Sequence, residues 1–321
     1  MNFNKSPLFQ KKTAKKPQTK QTEKKDSQTG QKKKGSKQGQ LTNILLVLIF
    51  LVGLGLLCYP TVANWWNESR SSQAFMNYDT AVESLDRTKL KKIWSEAEDY
   101  NDSLNTLVNR YNMSETDQRN YNKQLNIDGD GQMGRIEIPK IHVKLPVYHS
   151  VDEKVLQVAA GHVPGSSLPV GGEGTHCVLS GHRGLPSAKL FTDLDRLEEG
   201  DIFVLKILDK TLTYEVDKIT IVEPEETESL LPVADKDYCT LVTCTPYGVN
   251  TQRLLIRGVR TTNDKARPFL DVGNDVVKID PMLVAPVVMV ILFIALGGTS
   301  WLKKAYRKKK KNQENSKTDE T

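Results

Sequence analysis

Three side chains in this sequence could together carry acyl transfer through a thioester. Cys244 ends an apolar run, residues 238–243, and is followed by Thr245 and Pro246, so its thiol falls where a strand gives way to a loop. His182 has a similar place, after Cys177-Val178-Leu179-Ser180-Gly181 and before the turn signal Gly184-Leu185-Pro186. A thiolate attacking a carbonyl needs a group that takes the thiol proton and later protonates the departing amine, and an imidazole does both near neutral pH. Arg253 opens the next apolar run, after a loop at 247–252 that would bring a permanent cation back toward Cys244. Such a cation can stabilise a developing oxyanion and orient a peptide carbonyl. With four Cys and five His in the chain, chance pairings are many, so chemistry alone makes the trio only suggestive. His142, His149, His162 and His176 read as structural or exposed residues. The sequence has no HExxH, no CxxC pair and no Cys/His zinc spacing, and no cofactor is required by this chemistry.

The elements that must position these residues are mainly strands. Residues 135–138, 144–148, 176–182, 201–208, 212–224, 238–244 and 253–260 are short runs rich in Ile, Val, Leu and Thr, punctuated by Gly and Pro. Seven or more strands in so short a stretch predict a barrel or sandwich rather than a parallel α/β sheet. Ahead of them, Leu90, Ile93, Trp94, Ala97, Tyr100, Leu104, Leu107 and Val108 recur at three- and four-residue steps, which predicts an amphipathic helix between Thr88 and Asn109. Residues 112–124 are polar, lack periodicity and read as a loop.

Charge and hydropathy divide the rest of the chain. The net charge of +6 could suggest a nucleic-acid partner, but it sits in the two ends. Residues 1–40 hold 12 Lys against Glu23 and Asp26, and residues 303–321 hold eight Lys and Arg against three acids, leaving the middle acidic. Such Lys-rich, polar tails have too little apolar surface to fold. Residues 41–59 and 282–302 are uncharged and long enough to cross a bilayer as helices, each with its basic cluster on the side away from the middle segment. Trp65 and Trp66 suit the interface. One orientation satisfies both ends: both termini cytoplasmic, the middle outside. The layout expected is a cytoplasmic tail (1–40), a span (41–59), an outer helical and lid-like lead-in (60–133), a catalytic barrel (134–262), a tether (263–281), a second span (282–302) and a basic tail (303–321).

The motifs add a family resemblance. Thr240-Leu241-Val242-Thr243-Cys244 with Arg253 nine positions on resembles the sortase signature, and Leu179-Ser180-Gly181-His182-Arg183-Gly184 resembles that family's histidine segment. Gly161-His162 with Gly165-Ser166-Ser167-Leu168-Pro169 is similar to sortases as well. The likeness runs over about residues 134–260. It implies an eight-stranded sortase-type β-barrel with a helical lead-in, a cell-surface enzyme of Gram-positive bacteria, and catalytic roles for Cys244, His182 and Arg253. The implied reaction is cleavage of a Leu-Pro-x-Thr-Gly-like sorting signal between Thr and Gly, followed by transfer of the thioacyl group to an amine. The two spans and the wording of residues 181–195 resemble the class C, pilus-building branch, whose acceptor is a pilin Lys. The partners implied are surface or pilin proteins with a C-terminal sorting signal, and the membrane. Members of that branch often carry a lid with an Asp-Pro-aromatic plug; no such tripeptide occurs between Ser84 and Gly134. The other readings are a cell-wall-anchoring sortase, a surface cysteine peptidase in which water resolves the acyl enzyme, and a non-catalytic pilus-assembly scaffold.

Two further patterns stand apart from that site. Asn126, Asp128, Asp130, Gly131 and Glu137 have the spacing of a calcium-binding EF-hand loop, apart from Asn in first place. A strand rather than a helix follows, which favours a polar Gly-rich turn over calcium. Cys177 and Cys239 each lie five residues before a catalytic candidate. If the two strands are parallel neighbours, as the sortase barrel implies, the thiols lie side by side, either bridged or packed as two small apolar groups.

Overall fold

The computed structural model describes residues 37–105, 107, 110–266, 288 and 306, and the chain divides into two compact units, Met1–Ile49 and Phe50–Thr321. Of the expected N-terminal tail (1–40) only residues 37–40 are described, of the second span only Val288 and of the basic C-terminal tail only Tyr306, and the expected tether beyond Ala266 lies outside the described residues.

Helix α1 runs over Lys37–Glu83. It includes a window of mean hydropathy 2.5 with none of it buried, long and apolar enough to cross a membrane. The helix continues through Pro60, past the span boundary expected at residue 59. Beyond the apolar stretch its sequence turns amphipathic: Ser71, Phe75, Tyr78 and Val82 are buried at three- and four-residue steps, one stripe of a helix laid on other structure. The Tyr78 hydroxyl donates to the Met133 carbonyl at 2.7 Å and accepts from the Leu208 amide at 3.0 Å, while Arg135 pairs with Asp79 at 2.6 Å.

Helix α2 spans Arg87–Leu104, capped by the Asp86 side chain, and buries Trp94, Ala97, Tyr100 and Leu104, four of the predicted face. The region read as a loop at 112–124 contains a further helix, α3, Glu115–Tyr121. Its start is a capping box in which Ser114 and Asp117 satisfy each other's backbone N–H, and its end buries Tyr121. With one buried side chain in seven residues, periodicity has nothing to report there; the Ser-x-x-Asp cap is the signal that does.

Eight strands close into a barrel in the order β1-β2-β3-β4-β7-β8-β6-β5. They are β1 (Gln132–Ile138), β2 (Val143–His149), β3 (Ala160–His162), β4 (Thr175–Ser180), β5 (Ile202–Ile207), β6 (Lys210–Val222), β7 (Asp237–Thr245) and β8 (Gln252–Thr261). A short helix, α4 (Glu153–Leu156), lies between β2 and β3. The seven runs picked out by composition all lie on strands. The eighth, β3, has three residues, too few for an alternating pattern, and is identified by its pairing with β2 and β4. Ile136, Ile138, Val147, Leu179, Phe203, Leu205, Leu241 and Ile256 fill the interior.

Tyr78→Phe removes one hydroxyl that satisfies two buried backbone groups of the barrel. Leaving the Leu208 amide and Met133 carbonyl without that partner should cost about 1–3 kcal/mol, read as an earlier urea midpoint at unchanged slope; no change would mean that α1 does not hold the barrel through this contact.

Candidate active site

β4 and β7 are parallel neighbours, with Thr175 opposite Asp237 and Ser180 opposite Val242. His182 lies two residues past Ser180 and Cys244 two past Val242, so both come to the same level at one end of the barrel. The Gly181 amide prolongs the ladder by donating to the Val242 carbonyl at 3.0 Å, and the buried Thr243 hydroxyl donates to the Gly181 carbonyl at 2.8 Å. On the other side of β7, the antiparallel β8 places Arg253 directly opposite Cys244. Cys244 therefore stands between the strand lines that carry His182 and Arg253. All three residues predicted for the site come to one end.

Alternation decides which face they occupy. On β7, Cys239, Leu241 and Thr243 are buried toward the core, while Val242 and Cys244 alternate with them and are partly exposed. Cys244 and His182 share the outer parity of their strands. Cys177 and Cys239 are five residues away, an odd offset, and so face the interior. They are register partners, as the parallel arrangement requires, and both are buried free thiols. Burial pushes the Cys239 thiol well up from its ordinary value.

The loop after His182 is fixed from several directions. The Phe191 amide donates to the His182 carbonyl at 3.1 Å, and a Cβ at Gly181 would lie 2.6 Å from the Phe191 ring, so that position has room only for glycine. Asn67 of α1 donates to the Ser187 carbonyl at 2.7 Å, and the Lys189 amide donates to Asn64 at 3.0 Å. Arg183 reaches across to the Thr245 hydroxyl at 3.3 Å, pairs with Asp195 and lies over the Tyr247 ring. The Arg253 guanidinium donates to the carbonyls of Asn250 and Gln252 at 3.3 and 3.1 Å, which holds it at the mouth of the β7–β8 loop. Glu153, which sequence reading passed over, sits 3.1 Å from His182 Nε2. Its position 29 residues away and on a helix of four residues gives no local signal.

The other histidines have partners. His162 is fully buried, with Nδ1 at 2.9 Å from the Tyr121 hydroxyl and Nε2 at 2.9 Å from the Ser167 carbonyl. His149 Nδ1 meets the Gly131 carbonyl at 2.9 Å. His176 lies between the Leu231 carbonyl (3.0 Å) and the Thr240 hydroxyl (2.7 Å), tying β4 to the β6–β7 loop and to β7. His142 is exposed.

The residues of the calcium-like spacing make contacts within the fold. Asn126 Oδ1 accepts from the Gly129 and Gly131 amides and Asp130 from the Gln132 amide, an Asx-stabilised turn. Glu137, on β1, is turned to Lys206 at 3.1 Å, Arg135 at 3.2 Å and Lys144 at 3.6 Å. Burial alone would raise its carboxyl, but Lys206, Lys144 and Arg135 hold it below the usual range. Among the described residues, no group of three or more His, Cys, Asp or Glu could hold a metal ion.

The closed eight-stranded barrel carries a Cys, a His and an Arg at adjacent strand ends. The family model described as sortase domain matches residues 136–261. Sortase C1 of Streptococcus agalactiae is similar at 52% identity and a TM-score of 0.58, with 60% of this chain and 100% of that one covered. Sortase C of Streptococcus pneumoniae is similar at 40% identity and a TM-score of 0.54, covering 59% of this chain and 97% of that one. Sortase D of Bacillus subtilis is 34% identical over 132 residues, which are 40% of this chain and 64% of that relative's length. The chain belongs to the sortase family, whose members are cysteine transpeptidases, and its structural neighbours include class C sortases.

Burial pushes His176 down from 6.5 to about 4, with the Leu231 carbonyl opposing and Arg257 and Arg110 adding to the effect. Between those values the unfolded chain binds a proton that the folded one does not, so stability is complete above about pH 6.5 and falls as pH drops toward 4. This contributes about 3 kcal/mol. Urea midpoints across pH 4–7 should show that slope in the wild type and a flatter one in His176→Asn; equal slopes would remove His176 as its source.

Proposed function

We propose that this chain cleaves a Leu-Pro-x-Thr-Gly-like sorting signal between Thr and Gly and joins the new carboxyl end to an amine, a Lys side chain of a pilin subunit. The observation that carries the reading is the register that brings Cys244, His182 and Arg253 to one end of adjacent strands. The similar sortase C of S. pneumoniae, whose reported structure concerns pilin substrate specificity, supports a pilin as the substrate class.

The steps follow from the residues. The Cys244 thiolate attacks the Thr carbonyl carbon, and Arg253 stabilises the oxyanion that forms. Collapse breaks the Thr–Gly C–N bond, and His182 gives its proton to the departing Gly amine. A thioester links Thr to Cys244. The acceptor amine then attacks, His182 takes a proton from it, and the thiolate leaves as an isopeptide bond forms.

The apolar part of α1 supports anchoring in the membrane. With a second span at 282–302, the basic clusters at both ends place both termini in the cytoplasm and the barrel outside, where secreted pilins pass.

Cys244→Ala should form no thioacyl adduct with a Leu-Pro-x-Thr-Gly peptide by mass spectrometry while keeping the wild-type circular dichroism spectrum. Measurable turnover by that variant would end the mechanism. Arg253→Lys should lower kcat/KM by about 10²-fold, because an ammonium cannot reproduce the planar fork at the oxyanion. Near-wild-type kinetics would show that Arg253 supplies charge alone.

A further inference from the structure

We infer that Glu153 is the positioning residue of the histidine: its carboxylate fixes which imidazole nitrogen carries the permanent proton and leaves the other free for the proton that moves. This rests on the reading of Cys244 and His182 as nucleophile and acid/base. Glu153 is the first residue of α4, and its Oε2 lies 3.1 Å from His182 Nε2. The other carboxylate oxygen accepts from Gln157 Nε2 at 3.1 Å, one turn along the helix, so the side chain is held toward His182 at both of its oxygens.

The chemistry follows from donor and acceptor inventories. Bonds from Gln157 and His182 lower the Glu153 carboxyl from its ordinary value, so at neutral pH it is ionised and can only accept. Nε2 must then be the donor, and Nδ1 is the nitrogen left to exchange a proton with Cys244 and with the amines of the two half-reactions. The charged and titratable groups around His182 come from four elements. Glu153 faces it from α4, Cys244 lies alongside on β7, and Arg253 is across Cys244 on β8. Arg183, next in its own loop, is already paired with Asp195. Among these, Glu153 is the anion in hydrogen-bond contact with the ring.

The pair is at the surface, with Glu153 side-chain exposure of 65%, so its effect is one of orientation and modest electrostatics rather than of stability. Its location has a second consequence. α4 leads into β3, which pairs with β4 just ahead of His182, so the elements that carry Glu153 and His182 are linked through that pairing.

The test compares full-length wild type with Glu153→Gln, Glu153→Asp and His182→Gln in detergent, using a Leu-Pro-x-Thr-Gly peptide and a free amine. Glu153→Gln should lower kcat by about 3–10-fold with KM unchanged. Long-range ¹H–¹⁵N spectra of the imidazole rings should show the Nε2–H form of His182 in wild type and a mixture in Glu153→Gln. Glu153→Asp should recover part of the rate and of the tautomer preference. An unchanged tautomer and unchanged kcat in Glu153→Gln, with His182→Gln inactive, would overturn the role of Glu153 and leave the Cys/His mechanism standing. Activity retained in His182→Gln would instead overturn the mechanism on which the inference rests.

Discussion

The pairing of β4 with β7 is the constraint on which the site depends. These strands are parallel, so their C-terminal ends coincide, and a residue two positions past the last register pair on one meets its counterpart on the other. That single alignment sets His182 beside Cys244 and, by the same count, Cys177 beside Cys239. A slip of one residue would exchange inner and outer faces, burying Cys244 and exposing core side chains. The closed barrel forbids it, since β7 is also held along its other edge by eight register pairs with β8. Thr243 adds a local lock by reaching from the core parity to the Gly181 carbonyl, immediately before the histidine.

Around this pair the molecule uses long-range contacts to restrain what parallel strands leave free. Parallel strands need long connections, and those connections carry the loops next to the site. The segment from Arg183 to Phe191 is held by Asn64 and Asn67 of α1, by the Phe191 amide and by Arg183 with Asp195. The connection from β6 to β7 is fastened to the outer face by the Leu231 carbonyl on His176 and by Tyr111 on the Leu230 carbonyl. Since α1 is also the helix with the membrane-compatible stretch, the side chains that hold the histidine loop sit directly after that stretch in sequence.

Much of this was legible beforehand, and where it was not the cause is specific. Strong alternation and β-branched content reveal seven strands, while β3 is too short to carry a pattern. The α2 face is a clean helical stripe. The second half of α1 was assigned only as lead-in, because Ser71, Phe75, Tyr78 and Val82 form a stripe interrupted by polar residues, and the apolar stretch before it dominates the eye. The α3 helix is short and solvent-facing apart from Tyr121, so its cap speaks and its period does not.

The sequence by itself determined which chemistry was available: a thiol, an imidazole and a guanidinium at strand boundaries, framed by motifs that resemble one family, together with an apolar stretch suited to a bilayer. Those are properties of local composition and spacing, and local patterns survive in one dimension. Tertiary structure alone decided that Glu153 meets His182, that Glu137 pairs with Lys206, Arg135 and Lys144, and that His162 and His176 bond to backbone and side-chain groups of the scaffold. Each of those outcomes depends on partners distant in sequence and on the face a strand presents. Closure of the barrel fixes both at once, and no short segment contains that information.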